Sequence, residues 1–114
     1  MTNLSLQTRS LGELSILKLD GTVDATVSGQ MEKALADLLT GGAKNVVVEL
    51  SGVKFMSSAG WGVLLGRVQQ VRTKGGSLVV AGMAPEVNHV YGLLGLKPIL
   101  KSYPTEGEAV AALR

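Results

Sequence analysis

The sequence predicts an α/β fold built on a mostly parallel central sheet of about five strands, with about four helices and an N-terminal hairpin. Three observations lead there. Two short segments of alternating polar and apolar residues open the chain, and two continuous apolar runs, "NVVVEL" and "SLVVAG", have the composition of strands buried on both faces. Segments with apolar residues at helical spacing separate those runs. Regular alternation of strand and helix implies crossover units, and crossover units imply parallel pairing.

The alternation in "NLSLQTR" and "LSILKLDG" gives two strands joined by a turn around Leu11 and Gly12. In "VSGQMEKALADLLTGG", Val27, Met31, Leu35, Leu38 and Leu39 fall on one helical face, and Gly41 and Gly42 end the helix. "NVVVEL" is the expected central strand. A second helix spans about Ser58 to Lys74, with Leu64, Leu65, Val68 and Val71 on one face and Gly75 and Gly76 as its stop. After "SLVVAG", Pro85 opens a short third helix in "PEVNHVYGLLG". "PILKSY" is expected as an edge strand that tolerates Pro98, and "TEGEAVAALR" as a closing helix capped by Thr105. The whole, residues 1–114, is read as one domain, long enough to bury a core without staples.

Composition narrows the function. The chain has no cysteine, which removes disulfides, thiolate zinc sites and cysteine nucleophiles together and suits a reducing compartment. Eleven basic and nine acidic residues are scattered rather than striped, so nucleic acid is not an expected partner. The N-terminus lacks the pattern of a signal peptide, and no apolar run approaches the ~20 residues of a membrane span. A soluble cytoplasmic protein without membrane insertion is expected, and with no heptad pattern, a monomer. One Trp, one Phe and two Tyr leave the core to aliphatic residues.

Motifs for catalysis and cofactors are missing. "GWGVLLG" has G-x-G-x-x-x-G spacing rather than the dinucleotide fingerprint, with "SGVKFM" between the strand and the glycines; no phosphate-cradling P-loop occurs. His89, the single histidine, reads as an exposed or capping residue, and Asp20 and Asp24 as turn and helix-start aspartates rather than a dyad. "MSSAG" is not a nucleophile elbow. Neither enzyme activity, cofactor nor metal is expected.

The start of the second helix is the unusual feature. Gly60, Gly62 and Gly66 each cost about 1 kcal/mol against alanine, directly behind Ser57 and Ser58. With Ser57 as the cap, Ser58 occupies the first helical position and points to solvent, where a phosphate would add roughly 1.5–2 negative charges at the positive end of the helix dipole. Ala59, Gly60 and Gly62 keep the surrounding surface low, which would allow another backbone to approach. The same residues also suit plain capping and tight packing on the sheet. Trp61 shares the Leu64 and Val68 face, so core packing and partner contact are both open to it.

At these residues the chain resembles the STAS-domain anti-sigma factor antagonists. The likeness runs through "VVVELSGVKFMSSAGWGVLLGRVQQV", the "GTVD" loop, "LVVAG" and the "LLGLKPI" and "EAVAAL" tail. What it implies is partner switching: the unphosphorylated antagonist binds an anti-sigma serine kinase and frees a sigma factor, phosphorylation breaks the complex, and a PP2C-type phosphatase reverses it. In register, Ser58 matches the phosphorylated serine, Asp24 the loop aspartate near it, Gly60 the glycine after the motif, Trp61 an apolar position beside the switch and Leu96 the leucine after the third helix. Ser57, Ala59 and Gly62 complete the implied partner-binding set. The chain departs from the pattern at Ser57, where the family usually has Asp, and at Ala59, where a second hydroxyl is common. Two corollaries follow from the departure: Ser57 as an alternate acceptor, or partner binding without a phosphorylation cycle. Competing with the switch are a non-switching STAS scaffold or transporter accessory, and a small-ligand or nucleotide-binding domain with its crevice near Asp24, Ser58 and Gly60.

Overall fold

The computed structural model describes residues 4–113. Asn3, which opens the first expected strand, and Arg114, which closes the last expected helix, lie outside them. Five strands and four helices alternate in the predicted order: β1 (Leu4–Leu11), β2 (Leu14–Val23), α1 (Ser28–Thr40), β3 (Asn45–Met56), α2 (Ser58–Thr73), β4 (Ser77–Ala81), α3 (Pro85–Leu93), β5 (Ser102–Tyr103) and α4 (Glu106–Leu113). The strands lie side by side in chain order. β1 and β2 form the antiparallel hairpin, turning at Gly12 with φ +70°, and every later pair is parallel.

Two cores sandwich the sheet. Because side chains alternate along a strand, Val46, Val48 and Leu50 of β3 face one side while Val47 faces the other. The larger core packs those residues with Leu17 and Leu19 against Met31 and Leu35 of α1, Leu64 and Val68 of α2, and Val87 and Tyr91 of α3. The smaller one sets Leu14, Ile16, Val47 and Val79 against Ala109 of α4. Burial on both faces explains why "NVVVEL" shows no alternation in its sequence. Thr105 caps α4 as expected, its Oγ1 accepting from the Glu108 N–H at 3.1 Å.

Two elements differ from expectation. β3 does not stop at Leu50 but continues through "SGVKFM" to Met56, paired beyond Glu49 with β2 alone. The pairing slips twice, from Lys18↔Glu49 to Asp20↔Gly52 and from Gly21↔Val53 to Thr22↔Phe55. Each slip inserts an extra β3 residue, and such bulges destroy the period of two by which a strand is recognised. Gly52 sits at the first slip, where a Cβ would lie 1.7 Å from Asp20 Oδ1, so any larger residue there displaces the Asp20 side chain. β5 is the second difference, with two residues in place of the six of "PILKSY". Pro98 lies in a turn instead, where Leu96 O accepts from Ile99 N and Leu100 N at 2.9 and 2.8 Å.

Candidate functional site

The parallel strands β2 and β3 end together, and their ends position the candidate site. The ladder closes with Val23↔Met56, and one step further Ser57 N donates to Val23 O at 2.8 Å. Asp24 follows Val23 and Ser58 follows Ser57, so the loop into α1 and the start of α2 leave the same edge of the sheet. Parallel α/β sheets hold their binding crevices at this end of the strands.

Ser57 is the N-cap of α2, with extended backbone (φ −74°, ψ 169°). Its Oγ accepts from Gly60 N at 3.3 Å and its carbonyl from Trp61 N at 3.1 Å. These bonds satisfy helix-start donors that would otherwise be unpaired. Ser58 takes the first helical position and is exposed. The first turn of α2 carries no acidic residue, so the positive end of the helix dipole is not neutralised from within the helix.

The three glycines of α2 divide into two kinds. Gly60 is buried, and a Cβ on it would meet Met56 Cγ at 2.7 Å and Val23 Cγ1 at 2.9 Å. It lets the helix start sit directly on the strand ends. Gly62 and Gly66 are exposed, and a Cβ on either would find nothing within 4 Å, so packing does not require them. Together with half-buried Ala59 they form a low stripe along α2. The stripe floors an open concavity of about 520 Å³ whose wall toward α1 is the Glu32–Arg67 ion pair at 2.7 Å.

Asp24 is half-buried and organises its own loop. Its Oδ1 accepts from Thr26 N at 2.9 Å and from Thr26 Oγ1 at 2.5 Å, while its carbonyl accepts from Val27 N and Ser28 N. The Thr26 hydroxyl holds the carboxyl below the usual aspartate range, backbone N–H bonds act in the same direction, and partial desolvation opposes them. Asp20 does not join it: that carboxylate lies over Gly52 inside the sheet. His89 is exposed on α3. Among the described residues no group of three or more His, Asp or Glu gathers as a metal site.

Two expected contact residues need correction. Trp61 is 2% exposed and Leu96 6%, both within the larger core. Trp61 stands 6.0 Å from Tyr91, centroid to centroid, at 41°, and its Nε1 has no hydrogen-bond partner among the described residues. Neither side chain is exposed: Trp61 packs into the core from the first turn of α2, and Leu96 from the turn after α3. The exposed apolar groups beside the site are Phe55 and Val90, which rim a notch of about 80 Å³ over Trp61. Phe55 escapes notice in the sequence because it sits in the bulged half of β3, where alternation no longer tells outward from inward.

A crossover sheet led by a hairpin carries a serine-capped helix at the end of its central strand, and residues 5–109 of this fold match the STAS domain. The anti-sigma F factor antagonist of Paenibacillus polymyxa is 30% identical over 97% of this chain and 96% of its own. The chain belongs to the STAS-domain family of anti-sigma factor antagonists. Its fold is shared with the unphosphorylated form of the antagonist SpoIIAA, at TM-score 0.82 and 24% identity over 96% of both chains. It is shared as well with the phosphorylated form of Bacillus SpoIIAA, at TM-score 0.74 and 23% identity over 96% of this chain and 100% of that one.

Proposed function

We propose that this protein is a phosphorylation-controlled anti-sigma factor antagonist. Unphosphorylated, it binds an anti-sigma serine kinase and thereby frees a sigma factor; phosphorylation of Ser58 by that kinase dissolves the complex, and a PP2C-type phosphatase restores the binding form. It works by association rather than catalysis, as a monomer in the cytoplasm. The observation that carries the reading is an exposed Ser58 hydroxyl at the first position of a helix whose start is fixed by Ser57 and Gly60 and carries no charge of its own. The P. polymyxa relative, named an anti-sigma F factor antagonist, supports the same role.

The physics of the switch follows from that placement. A phosphate at Ser58 is tolerated by the helix dipole, so the domain stays folded while the surface beside Ala59 and Gly62 changes from small and neutral to bulky and about twofold negative. A partner in close contact there meets an unpaired, desolvated charge. Accordingly Ser58→Ala keeps kinase binding and Ser58→Asp weakens it by more than about tenfold. Equal affinity of the two variants for the cognate kinase contradicts the switch. Ser57 favours one second reading, a STAS module that binds constitutively: a neutral cap stands where the family usually offers a carboxylate beside the acceptor serine. In that case phosphatase treatment leaves partner binding unchanged.

A further inference from the structure

We propose that residues 93–101, at the end of α3 and in the turn after it, form a docking surface for an anionic lipid bilayer. The proposal is independent of the Ser58 switch. Large apolar residues that are exposed on this protein concentrate here: Leu93 is 72% exposed, Leu94 51% and Ile99 45%, with Val90 one helical turn before them. Scattered exposed leucines are ordinary, but a contiguous group marks an interaction surface.

The exposure is built in. Buried Leu96 and Leu100 anchor the turn, Leu96 O accepts from Ile99 N and Leu100 N, and the Tyr91 hydroxyl donates to Leu100 O at 2.5 Å. With Leu96 and Leu100 tied inward, the turn holds its remaining apolar side chains outward. Cations surround them: Lys97 and Lys101 are exposed, and the Arg72 guanidinium donates to Ile99 O at 2.9 Å. Between Glu86 and Glu106 the chain has no acidic residue.

Exposed apolar side chains on a segment that carries two lysines and no acidic residue complement a bilayer interface, where the aliphatic groups enter the headgroup boundary and the cations meet lipid phosphates, with Glu86 beside Val90 at the far end of the patch. A folded protein segment would call for an apolar groove, but the concavities between α1 and α2 and beside Phe55 share only Val90 with the patch, and a third of about 330 Å³ shares the cations Arg72 and Lys101 but none of the exposed apolar residues. The attachment is peripheral, since among the described residues no helix is long and apolar enough to cross a membrane.

The test is co-sedimentation of the intact protein with vesicles of phosphatidylcholine alone or with about 30% phosphatidylglycerol, where we expect about fivefold more protein on the anionic vesicles, released by salt. Leu93→Ser with Leu94→Ser, and separately Lys97→Gln with Lys101→Gln, are expected to lower binding to the phosphatidylcholine level, and all four positions are exposed so that folding is spared. Ser58→Asp is expected to sediment like the unaltered protein. Equal background sedimentation with both vesicle types overturns the proposal. So does a sedimentation-velocity result in which the unaltered chain self-associates, the serine double variant does not, and vesicles bind neither; the patch is then a protein–protein surface.

Discussion

Alanine at Gly62 and Gly66 is expected to stabilise the protein, and alanine at Gly60 to destabilise it, although all three glycines lie in the same helix. At Gly62 and Gly66 a methyl meets nothing within 4 Å. Only helix propensity then acts, and the double variant gains about 1.5–2 kcal/mol. At Gly60 the methyl would be 2.7 Å from Met56 Cγ and 2.9 Å from Val23 Cγ1, groups close to the backbone in a filled core. Overpacking of that kind costs about 1–3 kcal/mol against a propensity gain of about 1, so a net loss of up to about 2 kcal/mol is expected. With an unfolding entropy of about 0.24 kcal/mol/K for a chain of this length, the double variant should melt about 6–8 °C higher. Thermal and urea unfolding followed by circular dichroism, with Trp61 fluorescence as a local probe, would measure all three. A Gly60→Ala protein that gains as much stability as the others refutes the packing argument. The double variant also separates stability from contact: if the stripe at Ala59, Gly62 and Gly66 receives the partner, the more stable protein binds it less tightly.

Ser57→Ala should cost about 1 kcal/mol by removing the bond to the Gly60 N–H, while Ser57→Asp, an equally good cap that also complements the dipole, should change stability by less than about 0.5 kcal/mol. Comparable losses in both variants, read from denaturant midpoints, would show that the hydroxyl does something other than cap. Asp24 predicts a pH effect: its carboxyl is held below its ordinary range, so its contribution to stability is present above the unfolded value near 3.8 and lost as pH falls through the lower folded one. Asp24→Asn, which keeps an acceptor for Thr26, should therefore trail the unaltered protein at neutral pH and converge with it in acid. A stability difference that is the same at both ends would place the effect outside the charge.

Most of the architecture was legible from periodicity. β-branched runs marked the buried strands, 3.6-residue spacing marked α1 and α2, and the glycine pairs marked their ends, because each of these features reports local geometry directly. The second half of β3 was not legible, since the two bulges opposite β2 break its alternation. Pro98 and its neighbours read as strand because their composition suits one, whereas the hydrogen bonds to Leu96 O make a turn there. At the site, Ser57 as cap and Ser58 as the outward first residue followed from helix-start rules alone. Trp61 and Leu96 did not, because resemblance marks a position as important without saying whether its side chain faces a partner or the core. The exposure of Leu93, Leu94 and Ile99 was equally hidden, since inward and outward residues in an irregular turn are decided by tertiary hydrogen bonds and not by spacing.

Phosphosite mass spectrometry on the protein isolated from its native cell, under growth and under stress, tests the central claim most directly. Trypsin releases residues 55–67, a peptide whose only hydroxyl groups belong to Ser57 and Ser58, so fragment ions assign the site without ambiguity. The switch predicts phosphate on Ser58 with an occupancy that changes with condition. A peptide found only unmodified, while other antagonists in the same extract carry phosphate, would contradict it.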